Sequence, residues 1–565
     1  MRTGSGLHAL ESGAMRAEPA HAVPARASVA RSPVTILART WPALPATAVA
    51  VFVLLRLGFD QGGYFPAAYT SAGAIAFIAL AVLALRRARE RLSAHALIAI
   101  GTLAAFACWT GLSRMWSVVP DVPLLDMRRA MLYLALFGLG LLASDSGRNA
   151  RLLVWSVLGA VVTICGAGIL SRLQPDLVMV AIDPSIALAY RLDYPLGYWN
   201  AFGALNSVGS VLALGLAADP RGKAILRSLA TGAAVLLLVT MYLSLSRGAW
   251  LALILGVVVL VAIAPNRGSL LLTLAIAGGA AMVAMLRLRG YPALVTDPAA
   301  GSGQAAQGNA FTRELVVLVV LAGAAQAAVS SIRAPALIAR QMRSIRRFAL
   351  LGGAALIVLV LLVGYVARGG EAEGGVTAAA DDATSWIDRQ WQDFLDPATS
   401  PGTGSARLTS AKGARSDNYR VAIDGFEEHP LLGDGAGSYE VRYARERNVD
   451  QKIRDVHSLP LETLSELGAI GMLLLLGFLI AVATAGRRAL AGKGAIRPAE
   501  AAAVGAAFAS WLGHACVDWD WEMPALTGTA VLLCATLFQR GRRRQSRRRR
   551  TGNHAMHRIT GRSSS

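Results

Sequence analysis

The run Asp455-Val456-His457-Ser458-Leu459-Pro460-Leu461-Glu462 marks the point where a long polar interruption, roughly 368–461, gives way to another apolar helix. Its reading decides the fold. A chain that is apolar on both sides of such an interruption is a set of membrane spans carrying one large loop. A histidine at the point of return, beside a proline suited to the first turn of a helix, places an imidazole at the boundary of water and lipid.

Working outward, the 565 residues are 55% hydrophobic and only 16% charged, a balance that excludes an ordinary soluble globule. Apolar runs long enough to approach a span lie near 43–58, 71–85, 94–112, 127–143, 152–170, 199–217, 229–246, 248–264, 269–286, 314–333, 349–366, 462–483, 500–517 and 524–539. The sequence therefore predicts an all-α, polytopic integral membrane protein with about 12–14 transmembrane helices and one large extracytoplasmic loop. Its segments are a disordered cytoplasmic tail at 1–40, N-terminal spans at 41–367, the loop at 368–461, C-terminal spans at 462–539 and a basic cytoplasmic tail at 540–565.

The net charge of +20 raises the question of nucleic acid. The basic residues, however, fall in short clusters between apolar runs and in the tails, with no interleaved aromatics to stack bases. With fourteen spans, the clusters at 86–91, 148–151, 221–227, 267, 340–347 and 487–493 occupy alternate loops on one side, together with both termini. That is the positive-inside pattern, and it predicts both termini in the cytoplasm and anchoring of the tail by anionic lipid. The loop is opposite in sign, with eleven Lys or Arg against sixteen Asp or Glu over 368–461. Within it, 385–394 carries aromatics at helical spacing, 416–428 reads as a helix stopped by His429-Pro430, and 368–382 and 396–414 read as flexible. The cysteines (Cys108, Cys165, Cys516, Cys534) lie scattered in apolar segments without metal-ligand spacing.

Five groups of residues could carry chemistry. Arg247, in Ser246-Arg247-Gly248-Ala249-Trp250, sits where two apolar runs must turn at the outer face, either snorkelling or holding an anion. Arg191, in Tyr190-Arg191-Leu192-Asp193-Tyr194-Pro195-Leu196-Gly197-Tyr198-Trp199-Asn200, is a second outer arginine, either paired with Asp193 or facing substrate. Arg415 and Arg420 precede the glycine-rich run His429-Pro430-Leu431-Leu432-Gly433-Asp434-Gly435, which lacks the strand and the Lys-Ser/Thr ending of a phosphate loop. A tight turn holding those arginines over the membrane surface is its predicted use. His457 is placed to take a proton from a hydroxyl, with Glu462 and Glu466 one turn apart on the next span. Finally, Asp518 and Trp519 lie in an acid- and Trp-rich hairpin after His514, suited to closing a cavity or contacting sugar; its spacing fits no closed zinc site.

In order and in topology these motifs resemble the O-antigen ligase and polymerase family of bacterial membrane glycosyltransferases. The resemblance is carried by Ser246-Arg247-Gly248-Ala249-Trp250, by the 429–435 run, and by His457-Ser458 with Glu466-Leu467-Gly468-Ala469-Ile470-Gly471, over roughly 190–525. It implies a glycosyltransferase of the lipid-dependent (GT-C) class in the cytoplasmic membrane that needs no metal, nucleotide or other cofactor. The donor would be a glycan on undecaprenyl pyrophosphate, and the acceptor a hydroxyl of a glycan, lipid or protein. It implies further that Arg247 with Arg415 or Arg420, and less certainly Arg191, hold the pyrophosphate, and that His457 activates the acceptor or assists the leaving group. The alternatives are a polymerase of lipid-linked repeat units using the same donor chemistry and a transporter or flippase of an anionic lipid-linked solute. The latter predicts mid-membrane charges on broken helices. A sensor or scaffold would leave the arginine and histidine placements unexplained. The N-terminal spans receive no role from this reading.

Overall fold

The structure is a computed structural model, described over residues 43–85, 92–178, 190–295, 301–331, 392 and 415–539. Both tails, the span near 349–366 and the helix predicted at 385–394 (Gln392 apart) lie outside the described residues. Among those that are described, the chain is helical without a β-strand. Ten long helices, besides a single turn at Pro292–Val295, precede the gap: α1 (Ala43–Phe59), α2 (Pro66–Leu85), α3 (Ala94–Leu112), α4 (Val122–Ala143), α5 (Gly147–Leu173), α6 (Trp199–Ala217), α7 (Ala224–Leu243), α8 (Arg247–Ile263), α9 (Arg267–Leu288) and α10 (Gly301–Ser331). After it come α11 (Arg415–Glu428), α12 (Tyr439–Glu446), α13 (Leu459–Arg488), α14 (Pro498–Ala515) and α15 (Pro524–Ala535).

Eight described helices are long and apolar enough to cross a membrane, with shorter apolar helices at Ala43–Phe59, Arg247–Ile263 and Pro524–Phe538. Thirteen of the fourteen predicted spans thus fall on helices, and the protein is a polytopic all-α membrane protein. The bundle is built around α6, nearly all of which is buried, against α7, α8 and α14. Small residues permit that approach. A side chain at Gly215 would come within 2.5 Å of Ala503 Cβ on α14, the close backbone packing that bundles in lipid depend on.

Residues 415–458 fold as a small unit at one end of the bundle. Its own core is Val421, Ala422, Tyr439, Tyr443, Ile453 and Val456. The unit is spliced into α13, which breaks at Gly468 (φ 64°, ψ −168°), a backbone conformation almost confined to glycine. The groups freed by the break are taken up by the 430–435 turn. Ala469 N donates to Pro430 O at 2.9 Å and Ile470 N to Leu431 O at 3.4 Å, while Asp434 N and Gly435 N donate to Ser465 O (2.9 Å) and Glu466 O (2.8 Å). Trp109 Nε1 on α3 takes Leu467 O at 3.0 Å. Irregular backbone beside a membrane survives only when protein satisfies it in this way. The glycine-rich run forms the tight turn that the sequence suggested, with Gly433 N donating to His429 O at 2.9 Å, and it also completes a broken helix.

Candidate functional site

The site grows from one carboxylate. Asp518 lies between α14 and α15 and is fully buried. Its Oδ1 accepts from Tyr198 OH (2.9 Å) and Trp519 N (3.0 Å), and its Oδ2 from Asn200 Nδ2 (2.7 Å) and Arg415 Nη2 (2.7 Å). His457 Nδ1 approaches Oδ1 at 3.0 Å. Burial alone would raise the pKa of this carboxyl. Arg415 first, then His457, overcome that and hold it well below the usual carboxylate range. An ionised carboxylate only accepts, so His457 Nδ1 carries a proton toward Oδ1, and in the neutral imidazole the lone pair lies on Nε2. Burial also works against the charge of Arg415, and Asp518 more than offsets it, so the guanidinium stays ionised. Among the described residues, Nη2 alone of its nitrogens has a partner.

The backbone at His457 is itself diagnostic. It lies at φ 62°, a left-handed conformation costing a non-glycine residue about 1–3 kcal/mol. Histidine tolerates that region better than most residues. The conformation is held by fully buried Val456 on one side and by Tyr419 OH, which donates to His457 O at 3.2 Å, on the other. The imidazole, 22% exposed, stands edge-on to Trp519, which stacks on Tyr198 at 4.2 Å between centroids.

A second layer holds the turn that presents Arg247. Buried Arg191 donates Nε to Ser244 O (2.8 Å) and Nη2 to Leu245 O (3.2 Å) and Asn200 Oδ1 (2.8 Å), and its guanidinium lies 4.6 Å over the Trp199 ring. Leu245 sits at φ 51°. Ser246 then caps α8, its hydroxyl accepting from Ala249 N at 3.2 Å, and Arg247 opens the helix half-buried. The start of α8 packs on the end of α14, where a side chain at Gly248 would meet His514 Nε2 at 2.9 Å. His514 is committed to Asp520, 2.8 Å away.

Of the residues singled out by sequence, the structure gathers Arg415, His457 and Asp518 into hydrogen-bonded contact. Trp519 lies edge-on to His457, and Arg191 joins the group through Asn200. Arg420 is elsewhere, bonded to Asp417 (2.8 Å), Asp424 (3.0 Å) and Glu446 O (2.6 Å) inside the loop unit. Glu462 and Glu466 accept from Val456 N (3.3 Å) and Tyr439 N (3.1 Å), fastening that unit to α13. Tyr198, Asn200 and Tyr419 were not singled out. Tyr and Trp are expected at any membrane interface, so Tyr198 carries little signal, and the one available signal is the amide of Asn200 in the first turn of an apolar helix. The N-terminal spans also acquire a role. Arg129 on α4 pairs with Asp126 and lies 3.6 Å from Glu522, and Tyr133 OH donates to Trp521 O, so α4 grips the hairpin that carries Asp518.

Fold and site together define a multi-span membrane protein with a half-buried, oriented histidine and several arginines at one end of the bundle. Residues 315–476 match the family model for O-Antigen ligase, so this part of the chain is an O-antigen ligase family segment, as the motifs implied. The match contains Arg415 and His457, and Arg191, Arg247 and Asp518 lie outside it. It assigns the protein broadly to glycosyltransferase-like glycan processing of the ligase or polymerase type, with a lipid-linked donor in a membrane. No curated protein matches the chain.

Proposed function

We propose that the protein is a ligase transferring a polyprenyl-pyrophosphate-linked glycan to an acceptor hydroxyl at the outer face of the cytoplasmic membrane. The observation that carries this reading is the Asp518 carboxylate, which fixes His457 on one oxygen and Arg415 on the other. Cleaving a glycosyl pyrophosphate develops negative charge on the leaving oxygens. Fixed guanidiniums stabilise such charge most in the transition state, which is where rate is gained. Arg415, with Nε and Nη1 to offer, and Arg247 at the start of α8 take that role. The start of a helix also presents free N–H groups toward an anion.

His457 Nε2 removes the proton of the acceptor hydroxyl as its oxygen attacks the anomeric carbon and the bond to pyrophosphate breaks. Ionised Asp518 keeps the imidazole in the required tautomer and stabilises the imidazolium that forms, as a buried carboxylate does for a catalytic histidine elsewhere. The donor carries its own activated bond, so this scheme calls on no metal or nucleotide. Arg191, spent on Ser244, Leu245 and Asn200, acts here as the support of the Arg247 turn, and Arg420 has no part.

The test is the surface-glycan profile, with mass analysis of lipid-linked intermediates, in a deletion strain and in strains carrying His457→Ala or Arg247→Ala. The expected result is accumulated long lipid-linked chains with the acceptor bare, while both variants insert normally. Accumulated single repeat units would make the enzyme a polymerase. Unchanged glycans and intermediates would overturn the reading and favour a transporter.

A further inference from the structure

The far end of the loop unit carries a second opening that the scheme above does not use. α11 is 14 residues long, about 20 Å, with Arg415 at one end and Glu428 at the other. Beyond Glu428 a groove of about 600 Å³ lies between the 428–434 turn, α12 and the turn after α3.

One wall is apolar. Trp116, Val118, Leu431 and Leu432 line it, and Leu431 and Val118 are 66% and 57% exposed. Their level in the bundle is fixed by hydrogen bonds. Pro430 O and Leu431 O accept from Ala469 N and Ile470 N, at the start of the stretch 469–488. That stretch is about 30 Å long, the thickness of a bilayer's hydrocarbon. The Trp116–Val118 side of this wall is tied to the same level, since Ser117 Oγ donates to Ala436 O at 3.1 Å. Both sides of the wall therefore sit at the membrane boundary, where exposed leucine and valine face acyl chains at no cost and tryptophan is at home.

The rim is charged, and its pattern selects a headgroup. Arg442 is saturated, bonded to Glu428 (2.5 Å), Asp434 (2.6 Å) and Glu446 (3.0 Å). His429 Nδ1 is held by Asp434 at 2.6 Å. Arg445 also lines the groove, exposed, and has no ion pair among the described residues. One available guanidinium thus stands beside Glu428 and Glu446, whose side chains are 58% and 36% exposed. A purely anionic headgroup would meet more carboxylate than cation. A phosphate with an ammonium attached is complementary to both. We infer that this groove is a binding site for a zwitterionic phospholipid of the phosphoethanolamine type, its phosphate on Arg445, its ammonium toward Glu428 and Glu446, and its upper acyl chain along Val118, Leu431 and Leu432.

The test needs no glycan transfer. The purified, delipidated full-length protein is mixed with micelles of phosphatidylethanolamine or phosphatidylglycerol, and bound lipid is counted by native mass spectrometry. One phosphatidylethanolamine should be retained about tenfold better than phosphatidylglycerol. Arg445→Glu and, on the opposite wall, Val118→Asp should each abolish that retention, whereas Arg247→Ala at the distant site should leave it unchanged. Equal retention of the two lipids, or retention indifferent to both groove variants, would overturn the inference. So would a co-purifying saccharide lost on Arg445→Glu in place of lipid, which would make the groove a glycan site.

Discussion

Asp518 receives five donors and is fully buried, so the state of one proton organises the residue scale. Because the pair His457–Asp518 acts as a unit, Asp518→Asn should slow transfer by about 10²–10⁴-fold, and adding it to His457→Ala should cost almost nothing more. Steady-state rates of the two single variants and the double variant check this; additive losses would separate the roles. The depressed pKa of Asp518 has a defined sign. A carboxyl whose pKa is lowered by folding contributes stability that is complete above its unfolded pKa of about 3.9 and is lost as pH falls through the folded pKa. The stability difference between wild type and Asp518→Asn should therefore be constant from about pH 5 to 8 and shrink below about pH 4, as thermal unfolding across pH would show. Arg191 offers a contrast. Its removal strands two buried carbonyls, Ser244 O and Leu245 O, each worth about 1–3 kcal/mol. Arg191→Ala should lower stability and transfer together, whereas Arg247→Ala lowers transfer alone. A direct phosphate ligand at 191 would leave the unfolding temperature where it was.

Among the elements, α13 shows how a break in a helix becomes a joint. Gly468 has φ 64° and ψ −168°, and a side chain there would lie 2.3 Å from Leu431 O. Gly433, at φ 69°, would meet Glu466 C at the same distance. The two glycines let the loop turn and the broken helix pass close enough to exchange hydrogen bonds. Gly468→Ala should destabilise the protein by at least about 1–3 kcal/mol and displace the start of α13, which carries His457 at its edge. Both a lower unfolding temperature and reduced transfer are expected, without loss of the spans that insert independently of this joint. An unfolding temperature equal to wild type would mean that the joint is dispensable.

For the whole molecule, the open quantity is sidedness. The charge clusters predict a loop outside and both termini in the cytoplasm, and the proposed chemistry requires His457 on the outer side. Asp450 belongs to the same unit and its side chain is fully exposed. In a background freed of the exposed native Cys108 and Cys516, Asp450→Cys should react with a membrane-impermeant maleimide added to intact spheroplasts, and cysteines placed in either tail should not. The opposite labelling pattern would reverse the topology and remove the outer-face transfer. The N-terminal spans belong to this scale as well. Through Arg129, Asp126 and Tyr133, α4 reaches Glu522 and Trp521, so the conformation of Asp518 depends on a helix almost four hundred positions away in the chain.

Apolar periodicity is local information, and it sufficed for the fold class, for the existence of thirteen helices, of which the one predicted at 314–333 starts much earlier, at Gly301, and for the helix predicted at 416–428. The 429–435 run and the motif at His457, both inside the matched stretch 315–476, sufficed to point to the family whose model matches there. What the sequence could not determine was which polar residues meet. Asp518 and His457 are 61 positions apart, and Asp518 and Arg415 are 103 apart; nothing in their neighbourhoods along the chain codes for the pairing. Likewise the family resemblance implied that Arg191 and Arg420 could be substrate ligands, yet tertiary structure directs the first to the backbone of a turn and sets the second among carboxylates. A charge in a membrane protein goes to whatever partner packing brings within about 3 Å, and packing is settled by all the helices at once.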